Sequence, residues 1–172
     1  MAEARVAVLI GSDSDWPIME LCVNQLRELG VPCMLEIMSA HRSPERVREF
    51  ARAARASGLE VIIAAAGMSA ALAGTIAANT CLPVIGVPLV SGPLQGVDAL
   101  LSTVQMPPGV PVATVGIGSA GARNAALLAA QIIGVHTPEV AAALEQHKNT
   151  LAEGVEKKNQ ALRERLGEKP AP

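Results

Sequence analysis

Short hydrophobic runs alternate with stretches of helical periodicity along most of this chain. Five of these runs are predicted to form strands: Val6–Ile10, Cys33–Met38, Val61–Ala65, Val84–Val87 and Val112–Ile117. Because the runs are apolar on nearly every residue and do not alternate with polar ones, the strands are predicted to be buried on both faces. Helical stretches lie between them, so the pattern predicts a parallel sheet covered by helices on both sides, an α/β fold.

Four helices are predicted from apolar residues that recur at helical spacing. They are Pro17–Leu29, one that begins at Pro44, one from about Ser69 to Asn79, and Ala120–Ile133. The second has Ser43 as its N-cap and Pro44 at its first helical position, which is a favoured start. The fourth is apolar almost all round and is therefore predicted to be buried.

The end of the chain is predicted to form one long, mostly polar helix. It starts at Thr137-Pro138-Glu139 and continues over about 138–166. A narrow stripe of apolar residues recurs along it in steps of four and seven: Val140, Leu144, Leu151, Val155, Leu162 and Leu166. At about 1.5 Å per residue the helix spans roughly 40 Å, longer than the expected width of the domain.

We therefore expect this C-terminal helix to project and to bury its stripe on another subunit of a homo-oligomer. The alternative is a helix that folds back along its own domain. The last residues, 167–172 (GEKPAP), are predicted to be disordered. The whole chain, 1–172, is expected to form a single domain with a core over about 5–134.

Composition excludes several classes of function. Half of the 172 residues are hydrophobic and 17% are charged, which is typical of a stable folded domain. The formal net charge of −2 provides no basic surface for nucleic acid or for an anionic membrane. Trp16 and Phe50 are the only aromatic residues, so a bound heterocycle would be held by backbone and small side chains.

The cysteines and the N-terminus predict a cytoplasmic protein. Cys22, Cys33 and Cys81 are odd in number and widely spaced, which fits neither a disulfide framework nor a C-x-x-C metal site. The N-terminal MAEARVAVLIG lacks the layout of a signal peptide, and no apolar stretch approaches the roughly 18 residues of a membrane span. No group of His, Cys and acidic residues has metal-ligand spacing, so no metal is expected.

Polar loops follow the predicted strands at their carboxyl ends, where open parallel sheets bind ligands. Gly11–Trp16 (GSDSDW) lacks the G-x-G-x-x-G pattern and the P-loop lysine, which argues against dinucleotides and nucleoside triphosphates. Its carboxylates suit the hydroxyl groups of a sugar. The alternative is that Ser14 or Asp15 only caps the following helix.

His41 and Arg42 lie side by side in the loop Ser39–Arg42 after the second strand. The Arg42 guanidinium can bind a phosphate with two hydrogen bonds, and the helix that starts at Ser43 directs its positive end the same way. His41 can move a proton near neutral pH, although it could also merely cap or pack. The small residues of Ala64–Gly74 leave room for a flat ligand or for carbon dioxide, and tight helix packing explains them equally well.

These motifs together resemble a known enzyme family. GSDSDW, SAHRSPERV and VDALLSTVQMPPGVPVATVGIG, followed by NAALLAAQI, resemble the PurE family of purine biosynthesis over about residues 5–134. The resemblance implies a three-layer flavodoxin-like α/β fold, no cofactor or metal, and an octamer in which the C-terminal helix reaches a neighbour. It also implies a small ribonucleotide substrate, whose carboxyl group moves from N5 to C4 of aminoimidazole ribonucleotide, or direct carboxylation by carbon dioxide.

The resemblance also assigns roles to residues by position. His41 would be the catalytic proton shuttle, because a base must take the C4 proton after carbon dioxide adds there. Arg42 would hold the phosphate, and the ribonucleotide would be bound by Ser12 and Asp15. The remaining substrate-binding residues that it implies are Ser39, Gly67, Ser69 and Leu72.

The loop after the third strand departs from both branches of the family. Mutases usually read GAGGAAHLPGM, so Ala71 and Ala73 replace the usual His and Pro. The direct carboxylase branch reads AGRSNALSG, and Met68 stands where that branch has Arg. The segment Ser102–Thr114 is closer to the mutases. We therefore expect a mutase and keep the carboxylase as the alternative.

Two other classes remain as rivals. A flavodoxin-like nucleotide-binding or signalling module would have no essential histidine. A Mg²⁺-dependent phosphatase could use Asp13 and Asp15, but its first Asp would directly follow the strand, and here Gly11 and Ser12 intervene.

Overall fold

A five-stranded parallel sheet forms the centre of the chain, which a computed structural model describes over residues 3–166. The strands are β1 (Val6–Ile10), β2 (Cys33–Ile37), β3 (Val61–Gly67), β4 (Val84–Leu89) and β5 (Ala113–Thr114). They pair in the order β2-β1-β3-β4-β5, and every pair is parallel. This is the flavodoxin-like order, in which the chain reverses direction across the sheet between β1 and β3.

Helices cover both faces of the sheet. They are α1 (Trp16–Glu28), α2 (Pro44–Ala53), α3 (Leu72–Ala77), α4 (Val97–Val104), α5 (Gly118–Gly134) and α6 (Pro138–Leu166). Helices α1 and α5 pack on one face, while α2, α3 and α4 pack on the other. The predicted fold class, a three-layer flavodoxin-like α/β domain with a long C-terminal helix, is confirmed.

The core is divided by the sheet into two layers because neighbouring residues of each strand point to opposite faces. In β1, Val8 faces α1 and α5, while Leu9 faces the other helices; both are fully buried. Helix α5 presents alanines to the sheet, among them the fully buried Ala122 and Ala126. Such small side chains allow α5 to lie close against the strands, and each buried leucine of the core contributes about 1.5–3 kcal/mol.

Helix α4 was not predicted, because its polarity is the reverse of what a surface helix normally shows. Its large apolar residues Val97, Leu101 and Val104 are about half exposed, whereas Ala99 and Thr103 are buried. The hydroxyl of buried Thr103 donates to the Ala99 carbonyl at 2.7 Å, which satisfies its hydrogen-bonding group. The large apolar residues of α4 therefore do not lie on the face of the helix that is buried.

Two other elements are shorter than predicted. Helix α3 covers Leu72–Ala77 and not Ser69–Asn79, because the backbone of Met68 is left-handed (φ 54°) and residues 68–71 form a turn. Strand β5 has only two residues, not the six of Val112–Ile117, and pairs only with β4 at the edge of the sheet.

Helix α6 leaves the domain after its first turns. Val140 is buried, and Leu144 packs against the layer of α1 and α5. The other residues of the predicted stripe are exposed by 52–68%: Leu151, Val155, Leu162 and Leu166. The alternative of a helix folded back on its own domain is therefore wrong beyond Leu144. The predicted disorder of 167–172 lies outside the described residues.

A polar cluster ties the start of α6 to the amino-terminal edge of the sheet. The Glu60 carboxylate accepts hydrogen bonds from Arg5 and, at 2.8 Å, lies beside Nε2 of His136. Arg5 also donates to Oγ1 of Thr137 at 2.9 Å. The hydrogen bond from Arg5, more than the smaller contribution of His136, lowers the pKa of Glu60, against the opposing effect of burial. His136 is thus a partner in this cluster.

No helix among the described residues is both long enough and apolar enough to cross a membrane.

Candidate active site

A cleft of about 580 Å³ opens at the carboxyl ends of the strands. It lies where the loops after β1, β2 and β3 meet, with Ser91 contributed from the loop after β4. This is the switch point of the sheet, where open α/β folds bind ligands. All eight residues that the resemblance implicates line this one cleft.

Ser12 and Asp15 form one wall and hold each other in place. The Ser12 side chain accepts a hydrogen bond from the Ser14 amide, and the Ser12 amide donates to Oδ2 of Asp15 at 3.0 Å. This reciprocal pair is a capping box, which fixes the short turn Asp13–Asp15 at the start of α1. Asp15 is also the N-cap residue of α1 but makes no side-chain capping bond to that helix, so capping of α1 does not account for it, and Ser12 and Asp15 both line the cleft.

Asp15 is a half-buried carboxyl group beside another acid. Burial raises its pKa above the ordinary value for aspartate, and nearby Asp13 raises it further. Hydrogen bonds from the backbone of Ser12 and Gly11 oppose this shift by stabilising the carboxylate. A desolvated acceptor of this kind is suited to receive hydrogen bonds from a ligand that displaces water.

Arg42 reaches across the cleft from the opposite wall. Its guanidinium donates to the Gly11 carbonyl at 3.0 Å and, through Nε, to Oγ of Ser39 at 3.3 Å. Ser39 also accepts from the Arg42 amide at 3.2 Å, so Ser39 orients both the backbone and the side chain of Arg42. Among residues 3–166, Arg42 forms no salt bridge, which leaves its charge available to an anion.

Helix α2 begins almost directly after Arg42. Ser43 is its N-cap residue and Pro44 its first residue, as predicted. The Ser43 hydroxyl, however, donates back to the Ser39 carbonyl at 3.1 Å and makes no capping bond to the helix. The amide groups of the first turn therefore lack a side-chain cap and add to the positive potential near Arg42.

His41 lies at the open side of the cleft. It is exposed, and within the described part of the chain its side chain makes no hydrogen bond. Neither capping nor packing therefore accounts for its position. An imidazole that is free to rotate at the edge of a polar cleft can deliver and accept a proton.

The loop after β3 forms the floor and far wall. Gly67, Ser69 and Leu72 line the cleft, and Leu72 is buried beneath it. A Cβ atom added to Gly67 would lie 2.5 Å from Cβ of Ser91, so only glycine allows β3 and the loop after β4 to approach this closely. The predicted small-residue wall is thus formed, in part, by a close backbone approach.

Several residues of the cleft were not singled out from the sequence. Ser91 had not been identified as a site residue, and Met68 and Ala71 had been noted only as departures from the family pattern. Met68 is 58% exposed and has a left-handed backbone. This conformation is uncommon for residues other than glycine, so a methionine gave no reason to predict it. The segment Gly118–Gly121, which follows β5, contributes no lining residue, because β5 lies two strands away from the switch point.

Among the described residues, the cleft contains no cluster of potential metal ligands. Within residues 3–166, no group of three His, Cys, Asp or Glu side chains converges as metal ligands. The charged groups that line the cleft come from different loops, Asp15 from the loop after β1 and His41 and Arg42 from the loop after β2. Such a separation can orient a ligand that has hydroxyl groups at one end and an anionic group at the other.

The fold and this cleft define a flavodoxin-like domain with a polar, ligand-sized site at the switch point. The sequence model of the AIR carboxylase family matches residues 5–154, and the chain belongs to this family. The predicted membership in the PurE family is thereby confirmed.

Relatives of known name support the same assignment. The chain is 50% identical over 163 residues to the N5-carboxyaminoimidazole ribonucleotide mutase of Mycobacterium tuberculosis, covering 95% of this chain and 92% of that protein. It is 53% identical over 137 residues to the enzyme of the same name from Escherichia coli, covering 80% and 81%. The crystal structure of Treponema denticola PurE superimposes with a TM-score of 0.81 at 28% identity, covering 92% and 98%.

Proposed function

We propose that this protein is an N5-carboxyaminoimidazole ribonucleotide mutase of purine biosynthesis, which moves the carboxyl group of its substrate from N5 to C4. The observation that carries the proposal is the meeting of Asp15, His41 and Arg42 around one cleft at the switch point. Relatives at about 50% identity that bear this name support it.

The charges of the cleft suggest how the ribonucleotide is oriented. Arg42 and the first turn of α2 receive the phosphate, because together they supply a guanidinium and free amide groups. Ser12 and Asp15 receive the ribose hydroxyls, since a carboxylate held by backbone amides accepts such bonds well. Ser39 acts by holding Arg42 in place. The imidazole ring then lies toward Gly67, Ser69 and Leu72.

The reaction requires that one proton be added to the substrate and that another be removed from it. When the N5–carboxyl bond breaks, carbon dioxide leaves and N5 gains a proton. The electron-rich C4 then attacks the carbon dioxide, and the proton on C4 must be removed to restore the aromatic ring. His41 can donate the first proton and accept the second, which returns it to its starting state. No cofactor is required for this sequence, and the released carbon dioxide only has to be retained.

The loop after β3 is the proposed place of retention. Gly67 keeps the backbone close to Ser91, and Ala71 and Leu72 add small or apolar surface beside it. A neutral molecule such as carbon dioxide is favoured by a site that excludes water. Ala71 and Ala73 replace the His and Pro usual in mutases, so the wall is built differently here.

Direct carboxylation of aminoimidazole ribonucleotide is the second candidate. It is favoured by the name of the matching family, AIR carboxylase, and by the departure of the β3 loop from the mutase pattern. Purified protein would be given either N5-carboxyaminoimidazole ribonucleotide, or aminoimidazole ribonucleotide with bicarbonate. We expect a much faster rate with the first substrate; a faster rate with the second would establish the carboxylase.

The protein is further proposed to act in the cytoplasm as a homo-oligomer, an octamer. The exposed stripe of α6, together with the exposed apolar residues of α4, supports association with other copies. A small ribonucleotide and carbon dioxide are its only proposed ligands; neither nucleic acid nor a membrane is among its partners.

A further inference from the structure

The turn that follows β3 is held in a conformation that its own residues do not favour. Met68 has a left-handed backbone (φ 54°), a state that generally costs a non-glycine residue free energy and persists only where surrounding contacts enforce it. Within the turn, the Ala70 amide donates to the Met68 carbonyl at 2.9 Å, and the Ala71 amide donates to the Ser69 carbonyl at 2.7 Å. These bonds span only two residues and do not fix the turn relative to the rest of the cleft.

One side chain from outside the turn provides the missing restraint. The amide of Ala70, which is buried, also donates to Oγ of Ser102 at 3.0 Å. The Ser102 hydroxyl donates to the Asp98 carbonyl at 2.7 Å, one turn earlier in α4. Because its single proton points to Asp98, the lone pairs of Oγ are free to accept from Ala70. The Met68 carbonyl lies 3.3 Å from the same oxygen and is an alternative acceptor.

Helix α4 is a firm base for this contact. Ala99 and Thr103 are buried against the sheet, and a Cβ atom at Gly86 of β4 would lie 2.3 Å from Cγ2 of Thr103. The absence of a side chain at Gly86 therefore lets α4 lie directly on β4. Ser102, next to Thr103, is thus fixed relative to the sheet, and the turn is fixed through Ser102.

We propose that Ser102 is a positioning residue, which sets the wall of the active-site cleft formed by Met68–Leu72 through its hydrogen bond to the Ala70 amide. Ser102 itself does not line the cleft, so it acts on substrate only through this backbone contact. The proposal rests on the proposed function, because the turn matters for catalysis only if the cleft binds the ribonucleotide.

The test compares Ser102→Ala with Ser102→Thr and with Ser57→Ala in the full-length protein. Ser57 is the matched control, because its hydroxyl also donates one turn back, to the Ala53 carbonyl, and within residues 3–166 it makes no side-chain hydrogen bond to another element. Steady-state rates with N5-carboxyaminoimidazole ribonucleotide and hydrogen exchange of the peptide containing residues 69–71 are measured for each. We expect Ser102→Ala to lower kcat/KM about tenfold or more and to speed exchange of that peptide.

Ser102→Thr retains the hydroxyl and is expected to recover most of both losses, while Ser57→Ala matches wild type. Ser102→Ala with wild-type kcat/KM and wild-type exchange would overturn the assignment, as would an equal loss in Ser57→Ala. Wild-type protein without turnover would overturn the proposed function alone. In that case the exchange of residues 69–71 still decides whether Ser102 sets the turn.

Discussion

The guanidinium of Arg42 donates to the carbonyl oxygen of Gly11 across a distance of 3.0 Å, and this contact joins the loops that follow β2 and β1. The two strands are neighbours, so a single side chain joins two adjacent loops at the carboxyl edge of the sheet, beside the switch point between β1 and β3. Arg42 therefore has both a structural contact and a charge directed at the cleft, and its replacement has separable effects.

Arg42→Lys retains the positive charge but loses the planar group that contacts Gly11 and Ser39 together. We expect KM for the ribonucleotide to rise about tenfold, with a smaller change in kcat, because phosphate binding contributes equally to the ground and transition states. Arg42→Ala should raise KM further, by about 100-fold. Steady-state kinetics at two salt concentrations checks this; an unchanged KM in Arg42→Ala would place the phosphate elsewhere.

Asp15→Asn should separate stability from activity. Because burial raises the pKa of Asp15 in the folded state, the stability that this group contributes is present at acid pH. That stability is lost as the pH rises through the folded-state pKa, so ionised Asp15 is unfavourable near neutrality. We expect the amide variant to unfold at a higher temperature at pH 7 and to lose ten- to 100-fold in kcat/KM.

The measurement is thermal unfolding of wild type and Asp15→Asn at several pH values between 3 and 8, with activity assays at pH 7. The stability difference should grow with pH and disappear at the acid end. A variant that is less stable than wild type at pH 7 would contradict this account of Asp15.

Gly67→Ala tests the close approach of β3 to the loop after β4. The added Cβ would lie 2.5 Å from Cβ of Ser91, so the backbone must move. We expect a loss of about 1–3 kcal/mol in the free energy of unfolding, measured by urea denaturation. The second substitution Ser91→Gly should recover much of this loss in the double variant. A double variant whose loss equals the sum of the losses of the two single variants would contradict the contact.

Glu60→Gln tests the cluster at the start of α6. Because Arg5 lowers the pKa of Glu60, its stabilising effect is present above the unfolded-state pKa and is lost as the pH falls through the lower folded-state pKa. We expect the variant to be less stable than wild type at pH 7, with a difference that vanishes once the pH has fallen below the folded-state pKa. Unfolding midpoints across this range provide the measurement, and a difference that persists at the acid end would show another cause.

The projecting part of α6 provides a test of assembly. Leu151→Asp with Leu162→Asp places two charges in the exposed stripe, at side chains that are 57% and 52% exposed. We expect smaller species by light scattering, with unchanged helical content by circular dichroism. Gln160→Asp, on an exposed polar position of the same helix, is the control. If the double variant has the same mass as wild type, α6 does not form part of the interface between subunits.

Much of the fold was predictable because its strands are unusually uniform. Four of the five hydrophobic runs became strands with bounds within two residues. The predicted burial on both faces is correct for β1, β4 and most of β3, but wrong for the edge strand β2, where Leu35 and Ile37 are 39% and 49% exposed. The loops of the cleft followed from the predicted parallel strands, since carboxyl ends of parallel strands share one edge. Helix α6 was predictable from its Thr-Pro-Glu start and its long polar pattern.

The features that could not be predicted from the sequence depend on contacts between residues that are distant along the chain. Helix α4 was missed because Gly86, more than ten residues earlier, decides that Thr103 and not Leu101 faces the sheet. We attribute the left-handed turn at Met68 to the contact from Ser102 of α4, so no local sequence motif could predict it. The roles of the cleft residues remain predictions, because their positions alone do not show which ligand they bind.

The most direct test of the central claim is the single-turnover rate of His41→Asn with N5-carboxyaminoimidazole ribonucleotide, alongside the affinity of the variant for that substrate. His41 is exposed and its side chain makes no hydrogen bond within residues 3–166, so the substitution should leave the fold intact and binding within a few-fold of wild type. We expect the rate to fall by about 10²–10⁴-fold, the usual contribution of a general acid–base group. A variant that binds normally and turns over at the wild-type rate would contradict the assignment of His41 as the proton shuttle.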